Sequence, residues 1–158
     1  MLAHRKVTLI YGGGRVGLMG ALADAALRGG GRVVGVIPQL LLDKEVGHTG
    51  LSELVIVDTM SARKLAMGRL ADAFLTLPGG IGTMDELFEA WSWTQLGLQD
   101  KLSGLLNHAG YYDALVQFLD RTVSEGFLKA ESRATLLVDE DMARLVDRLF
   151  AAAPTTDS

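Results

Sequence analysis

Two clusters of residues have the types and spacing to do chemistry. In Leu77–Pro78–Gly79–Gly80–Ile81–Gly82–Thr83–Met84–Asp85–Glu86, three glycines follow an apolar run and precede a segment with helical periodicity. Glycine carries no Cβ, so backbone N–H groups there can converge on an anion. The positive end of a helix beginning after Thr83 adds attraction for phosphate. No Gly-Lys-Ser/Thr follows, so the loop is not of the nucleoside-triphosphate type, and a monophosphate or a sugar-borne phosphate fits better. Glu86 places a carboxylate about one turn further on, within reach of a sugar. The same spacing, Thr83-x-x-Glu86, also reads as a capping box, in which Glu86 only stabilises its own helix. Both readings stand at this point. Upstream, Arg63 and Lys64 open another helix. Positive charge is unfavourable at a helix N-terminus, so this pair favours a ligand role over an ordinary solvated pair. A guanidinium stays protonated, so Arg63 suits electrostatic work rather than proton donation.

A second glycine-rich stretch runs from Tyr11 to Gly20, where Gly12, Gly14 and Gly17 satisfy G-x-G-x-x-G. A dinucleotide site would also need an acid at the end of the next strand to hold the ribose hydroxyls. That strand ends Ile37–Pro38–Gln39, with no acid. The other reading is that these glycines permit a tight turn and close packing of helix on sheet.

Positioning these clusters falls to alternating strands and helices. The sequence predicts strands at 7–11, 32–37, 54–57, 73–77, 102–106 and 134–138. It predicts helices at 18–28, 61–71, 84–96, 111–125 and 142–152, with 39–51 irregular. Val33–Val34–Gly35–Val36–Ile37 is continuously apolar, as a strand covered on both faces must be. The pattern is that of a doubly wound α/β domain with a mainly parallel sheet, spanning residues 1–153, and a disordered tail at 154–158. Ligands in such folds bind beyond the carboxyl ends of the strands, where both glycine clusters fall.

Composition narrows the classes. The chain has 158 residues, 49% of them apolar, a formal charge of −4 and no cysteine. The acidic balance argues against non-specific nucleic-acid binding. The missing cysteines remove disulfides and thiolate chemistry. No uncharged run is long enough to span a bilayer, so a cytoplasmic protein without a membrane partner is expected. His4, His48 and His108 lack metal-ligand spacing, and neither metal nor cofactor is expected. Asp139–Glu140–Asp141 reads as a cap for the last helix. Trp91 and Trp93 cannot share a helix face, so one is expected in the core and the other against a neighbour or a partner subunit.

The run Pro78–Gly79–Gly80–Ile81–Gly82–Thr83–Met84–Asp85–Glu86 resembles the PGGxGTxxE signature of the LONELY GUY (LOG) family, the cytokinin riboside 5′-monophosphate phosphoribohydrolases. Met60–Ser61–Ala62–Arg63–Lys64 resembles the family's M-x-x-R-K element, and Tyr11 to Gly20 its YGGGxxGLMG turn. Glu45 and His48 stand as its E-x-x-H does. The resemblance is distinctive from about Thr8 to Gly97. It implies a Rossmann-like fold, a homodimer or larger homo-oligomer, and hydrolysis of the N-glycosidic bond of an adenosine-type 5′-monophosphate. It implies Arg63 and Glu86 as the catalytic pair. The implied substrate-binding positions are Gly13, Gly14, Glu45, Lys64, Gly79, Gly80, Ile81, Gly82, Thr83 and Ser92, the last standing where the family usually has threonine. Family members begin with a strand and helix ahead of the YGGG strand, whereas Met1 lies about ten residues before Gly12. That first unit, whose strand lies inside the family's sheet, is expected to be absent, leaving backbone groups unpaired. The alternative reading is a non-catalytic carrier of a nucleotide or pterin phosphate on the same fold.

Overall fold

The computed structural model describes residues 1–45 and 47–152. The side chains of Asp43 and Glu45 lie outside the described residues, as does the expected tail at 154–158. The chain forms two compact units, Met1–Ala71 and Asp72–Ser158.

In the first unit, β1 (Leu9–Tyr11), β2 (Val33–Pro38) and β3 (Glu53–Val57) form a parallel sheet in the order β1-β2-β3. The central strand β2 is buried along its whole length, which is why it reads as an unbroken apolar run. Helix α1 (Gly17–Arg28) packs Ala23 onto Tyr11 and Val33, with Leu9, Leu27 and Leu51 around them. Helix α3 (Met60–Leu70) starts at Thr59, whose hydroxyl accepts the Ala62 N–H at 3.0 Å. The stretch expected to be irregular holds a short helix, α2 (Gln39–Glu45). Gln39–Leu40–Leu41–Leu42–Asp43–Lys44–Glu45 contains no glycine and no proline, so nothing in it opposes helix until Gly47.

In the second unit, β4 (Phe74–Thr76), β5 (Ser103–Leu106) and β6 (Leu136–Asp139) form another parallel sheet, again with the middle strand fully buried. Helix α4 (Ile81–Gln95) brings Leu87 and Trp91, and α5 (Asp113–Ser124) brings Leu119, to a core shared with Leu105 of β5, Leu136 of β6 and Tyr112 just ahead of α5. Gly97, at φ +70°, and Gly126, at φ +81°, end these helices as their positions predict. A short α6 (Ala130–Ala134) and the amphipathic α7 (Met142–Ala152) complete the unit. Among the described residues the six parallel strands pair as two three-stranded sheets, one in each unit. No described helix is long and apolar enough to cross a membrane.

Candidate functional site

The first glycine turn is filled by the protein itself. Arg63 sits in the second turn of α3 and is buried, with only 7% of its surface exposed. Its Nη2 donates to the Gly12 carbonyl at 3.1 Å, and its Nη1 lies 3.8 Å from the Met60 sulfur. Nε is buried without a hydrogen-bond partner. A Cβ on Gly12 would overlap this guanidinium, so glycine is needed there for the arginine to reach the backbone. Gly13 takes φ +76°, and its carbonyl accepts the His48 N–H at 3.1 Å. Gly14 forms an isolated antiparallel bridge with Gly47. Gly12, Gly13 and Gly14 are all buried. Arg63 is therefore not the solvated cation that a bland reading of its position would allow. Lys64, beside it, is half-buried.

His48 ties the turn to α1. Its Nδ1 accepts the Gly50 N–H at 3.1 Å, which leaves the proton on Nε2, 2.9 Å from Asp24 Oδ1. The Tyr11 hydroxyl is buried without a partner, and burial, aided by the Asp24 charge, pushes its pKa up to about 12. Glu45 closes α2, and its carboxylate lies outside the described residues.

The second glycine turn is open. Helix α4 begins at Ile81, not after Thr83, with Gly80 as its N-cap and no side chain capping it. Met84 N–H makes the first intrahelical bond, to the Gly80 carbonyl at 3.1 Å. The N–H groups of Ile81, Gly82 and Thr83 thus form the first turn of the helix and have no intrahelical acceptor. This overturns the capping-box reading. Thr83 is the third residue inside the helix, and Glu86 stands one turn beyond the capping position. With glycine at the cap the helix begins as soon as Pro78 is passed. Thr83 instead folds its hydroxyl over Gly79, where a Cβ would collide with it. At Gly80 and Gly82 a Cβ would meet nothing within 4 Å, and neither has a positive φ. The protein's own packing does not demand glycine at these two positions, and the space in front of their backbone is left clear.

Glu86 is half-buried on α4, and Ser92, two turns on, is exposed. Ile81, Met84, Asp85, Phe88, Glu89 and Ser92 line a shallow open groove along this helix, and Ile81 is 91% exposed. Trp91 lies on the buried side, its Nε1 donating to the Ser132 carbonyl at 3.1 Å and to Thr135 Oγ1 at 2.9 Å. It is the core tryptophan of the pair; Trp93 is half-buried.

Two residues that sequence reasoning missed reach the same turn. Tyr111 Oη donates to the Gly79 carbonyl at 2.9 Å, and Tyr112 Oη to the Leu77 carbonyl at 2.8 Å. Burial raises the Tyr112 phenol above its usual value, a backbone hydrogen bond at Gly79 opposing it. Their adjacency at the start of α5 carries no chemical signature in the sequence. Asp139 also exceeds its expected role. Asp141 does cap α7, accepting the Arg144 N–H at 2.8 Å. Asp139 is instead buried, bonded to Arg144 at 2.6 Å and to Arg148 at 3.3 Å. The Arg144 guanidinium, with the Asp141 backbone N–H, holds its carboxyl well below the usual carboxylate range.

The family described as "Possible lysine decarboxylase" matches residues 19–149. Cytokinin riboside 5′-monophosphate phosphoribohydrolase LOG5 of Arabidopsis thaliana is 43% identical over 99% of this chain and 68% of its own length. LOG2 of the same plant is 43% identical over 99% of this chain and 73% of its own. The chain belongs to the LOG family. Among solved structures, the molybdenum cofactor carrier protein of Chlamydomonas reinhardtii superposes with a TM-score of 0.66 at 20% identity, covering 95% of this chain and 81% of that one. The molybdenum cofactor binding protein of Rippkaea orientalis gives 0.68 at 15% identity, over 95% and 80%. At these identities the LOG-family chain shares their Rossmann-like fold.

Proposed function

We propose that this LOG-family protein is an N-glycosidase that hydrolyses cytokinin riboside 5′-monophosphates, and AMP-like nucleotides, to a free adenine-type base and ribose 5-phosphate. The observation that carries the reading is the 43% identity over 99% of the chain to a named phosphoribohydrolase. The open turn supports it. The unspent N–H groups of Ile81, Gly82 and Thr83 suit a 5′-phosphate, and the clear space at Gly80 and Gly82 lets it approach. Gly79 and Thr83 shape that turn. In the reaction the bond between ribose C1′ and the base nitrogen breaks, and its electron pair leaves with the base, which takes up a proton. Water adds its oxygen to C1′ and releases a proton. Positive charge builds on the sugar, as in glycoside hydrolysis. Glu86 stabilises that charge or takes the proton of the attacking water. Arg63, permanently charged, serves by electrostatics and by binding substrate. Gly13, Gly14, Glu45, Lys64 and Ser92 complete the proposed substrate contacts. A cytoplasmic homo-oligomer without resident metal or cofactor accords with the same family reading.

The carrier alternative has support from fold alone, at 15% and 20% identity. Incubating the chain with isopentenyladenosine 5′-monophosphate or AMP, and following free base by chromatography, separates the two readings. Release of base by the wild type, lost in a folded Glu86→Gln variant, is the expected result. A wild type that binds nucleotide and releases no base overturns the hydrolase reading.

A further inference from the structure

The open turn contains a weak point. The Gly79–Gly80 peptide is flanked on both sides by residues without a Cβ, so little steric resistance opposes its rotation. Beside the Thr83 hydroxyl folded over Gly79, one side chain holds its carbonyl. Tyr111 Oη donates to the carbonyl of that peptide, Gly79 C=O, at 2.9 Å. In a trans peptide the carbonyl and the following N–H point in opposite directions. Holding Gly79 C=O on Tyr111 therefore aims Gly80 N–H away from the phenol. If the peptide flipped, a carbonyl oxygen would stand where the N–H was, and an anion would be repelled.

Tyr111 is held by packing on one side only. Its side chain is 58% exposed, touching the buried Tyr112 ring edge-on with centroids 4.8 Å apart. Tyr112 is the fixed member of the pair. Its N–H donates to Asn107 Oδ1 at 2.7 Å, and Asn107 Nδ2 donates to Asp113 Oδ1 at 2.7 Å. Asn107 follows β5 directly and is buried. A chain of contacts thus runs from the end of β5 through Asn107 and Tyr112 to the exposed phenol on Gly79.

We propose that Tyr111 is a positioning residue for phosphate binding: its hydroxyl locks the Gly79–Gly80 peptide so that Gly80 N–H stays turned to the anion. This rests on the phosphate role given to the turn above. Tyr111→Phe removes only the hydroxyl. The variant is expected to keep the wild-type melting temperature and to bind ribose 5-phosphate about fivefold more weakly in calorimetry, the effect of one net hydrogen bond. KM for isopentenyladenosine 5′-monophosphate should rise by a similar factor with kcat within about twofold. Inhibition by adenosine, which has no phosphate, should be unchanged. Equal affinity of variant and wild type for ribose 5-phosphate overturns the proposal, as does an equal loss for adenosine. If the wild type releases no base yet Tyr111→Phe weakens ribose 5-phosphate binding, the hydrolytic reading falls and this one stands. If the wild type does not bind ribose 5-phosphate, the phosphate role and the proposal fall together.

Discussion

At Gly12 an added Cβ would overlap the Arg63 guanidinium, whereas at Gly80 and Gly82 it would meet open space. Both stretches leave the carboxyl end of a parallel strand, both are glycine-rich, and both precede a helix that no side chain caps. Yet the first turn is occupied by a cation from its own unit, with Gly12, Gly13 and Gly14 buried and two of its carbonyls spent. The second keeps its helix N-terminus unfilled, with Tyr111 and Tyr112 bracing it from behind. Glycine answers an internal steric demand at Gly12 and leaves room for a visitor at Gly80 and Gly82. A glycine motif therefore does not state its purpose. What an added methyl would strike does.

The largest effect that probes this contrast is expected at the charged groups themselves. Glu86→Gln should lower kcat by roughly 10²- to 10⁴-fold with little change in melting temperature, as removal of a general base or charge stabiliser does. A variant that keeps its rate would break the account of the open turn. Arg63→Ala should lower kcat/KM by roughly 10²-fold or more, and should also lower the melting temperature, because the buried Gly12 carbonyl loses its donor. Gly12→Ala comes next. The new methyl displaces the guanidinium, so activity should fall toward that of Arg63→Ala, and the double variant should be no worse than either alone. Additive losses would mean that the first turn does more than seat an arginine. Gly80→Ala should be milder. It meets no protein atom, so stability holds, while KM for the monophosphate rises several-fold as the methyl crowds the anion.

The smallest effect on turnover is expected at Asp139, which belongs to neither turn. Its carboxyl is held below the ordinary range in the folded chain by Arg144 and Arg148. A depressed folded-state pKa adds stability above the unfolded value of about 4, and that stability is lost as pH falls below it. Asp139→Asn should therefore melt a few degrees lower at pH 7, with the gap from wild type closing as pH drops below about 4. Turnover at pH 7 should stay within about twofold of wild type. A gap that is independent of pH would contradict the ionic account.

Much of this was legible in the residues. The unbroken apolar run Val33–Ile37 announces a central strand, and Gly97 and Gly126 announce helix ends, because these are local constraints. The signature Pro78–Glu86 and the pair Arg63–Lys64 were legible as a family pattern. What escaped depends on contacts distant in sequence. Arg63 meets Gly12 across 51 positions, and Tyr111 meets Gly79 across 32, so no window around either residue contains its partner. The start of α4 was misplaced for a different reason. Thr83 and Glu86 satisfy the capping spacing, but a glycine at the cap lets the helix begin three residues sooner and carries Thr83 inside it.

The contrast is tested most directly by titrating the ¹⁵N-labelled chain with ribose 5-phosphate and following backbone amides. The account predicts saturable shifts centred on Gly80, Ile81, Gly82 and Thr83, with smaller changes at Gly12 to Gly14. Shifts confined to the first turn, or none at either, would contradict it.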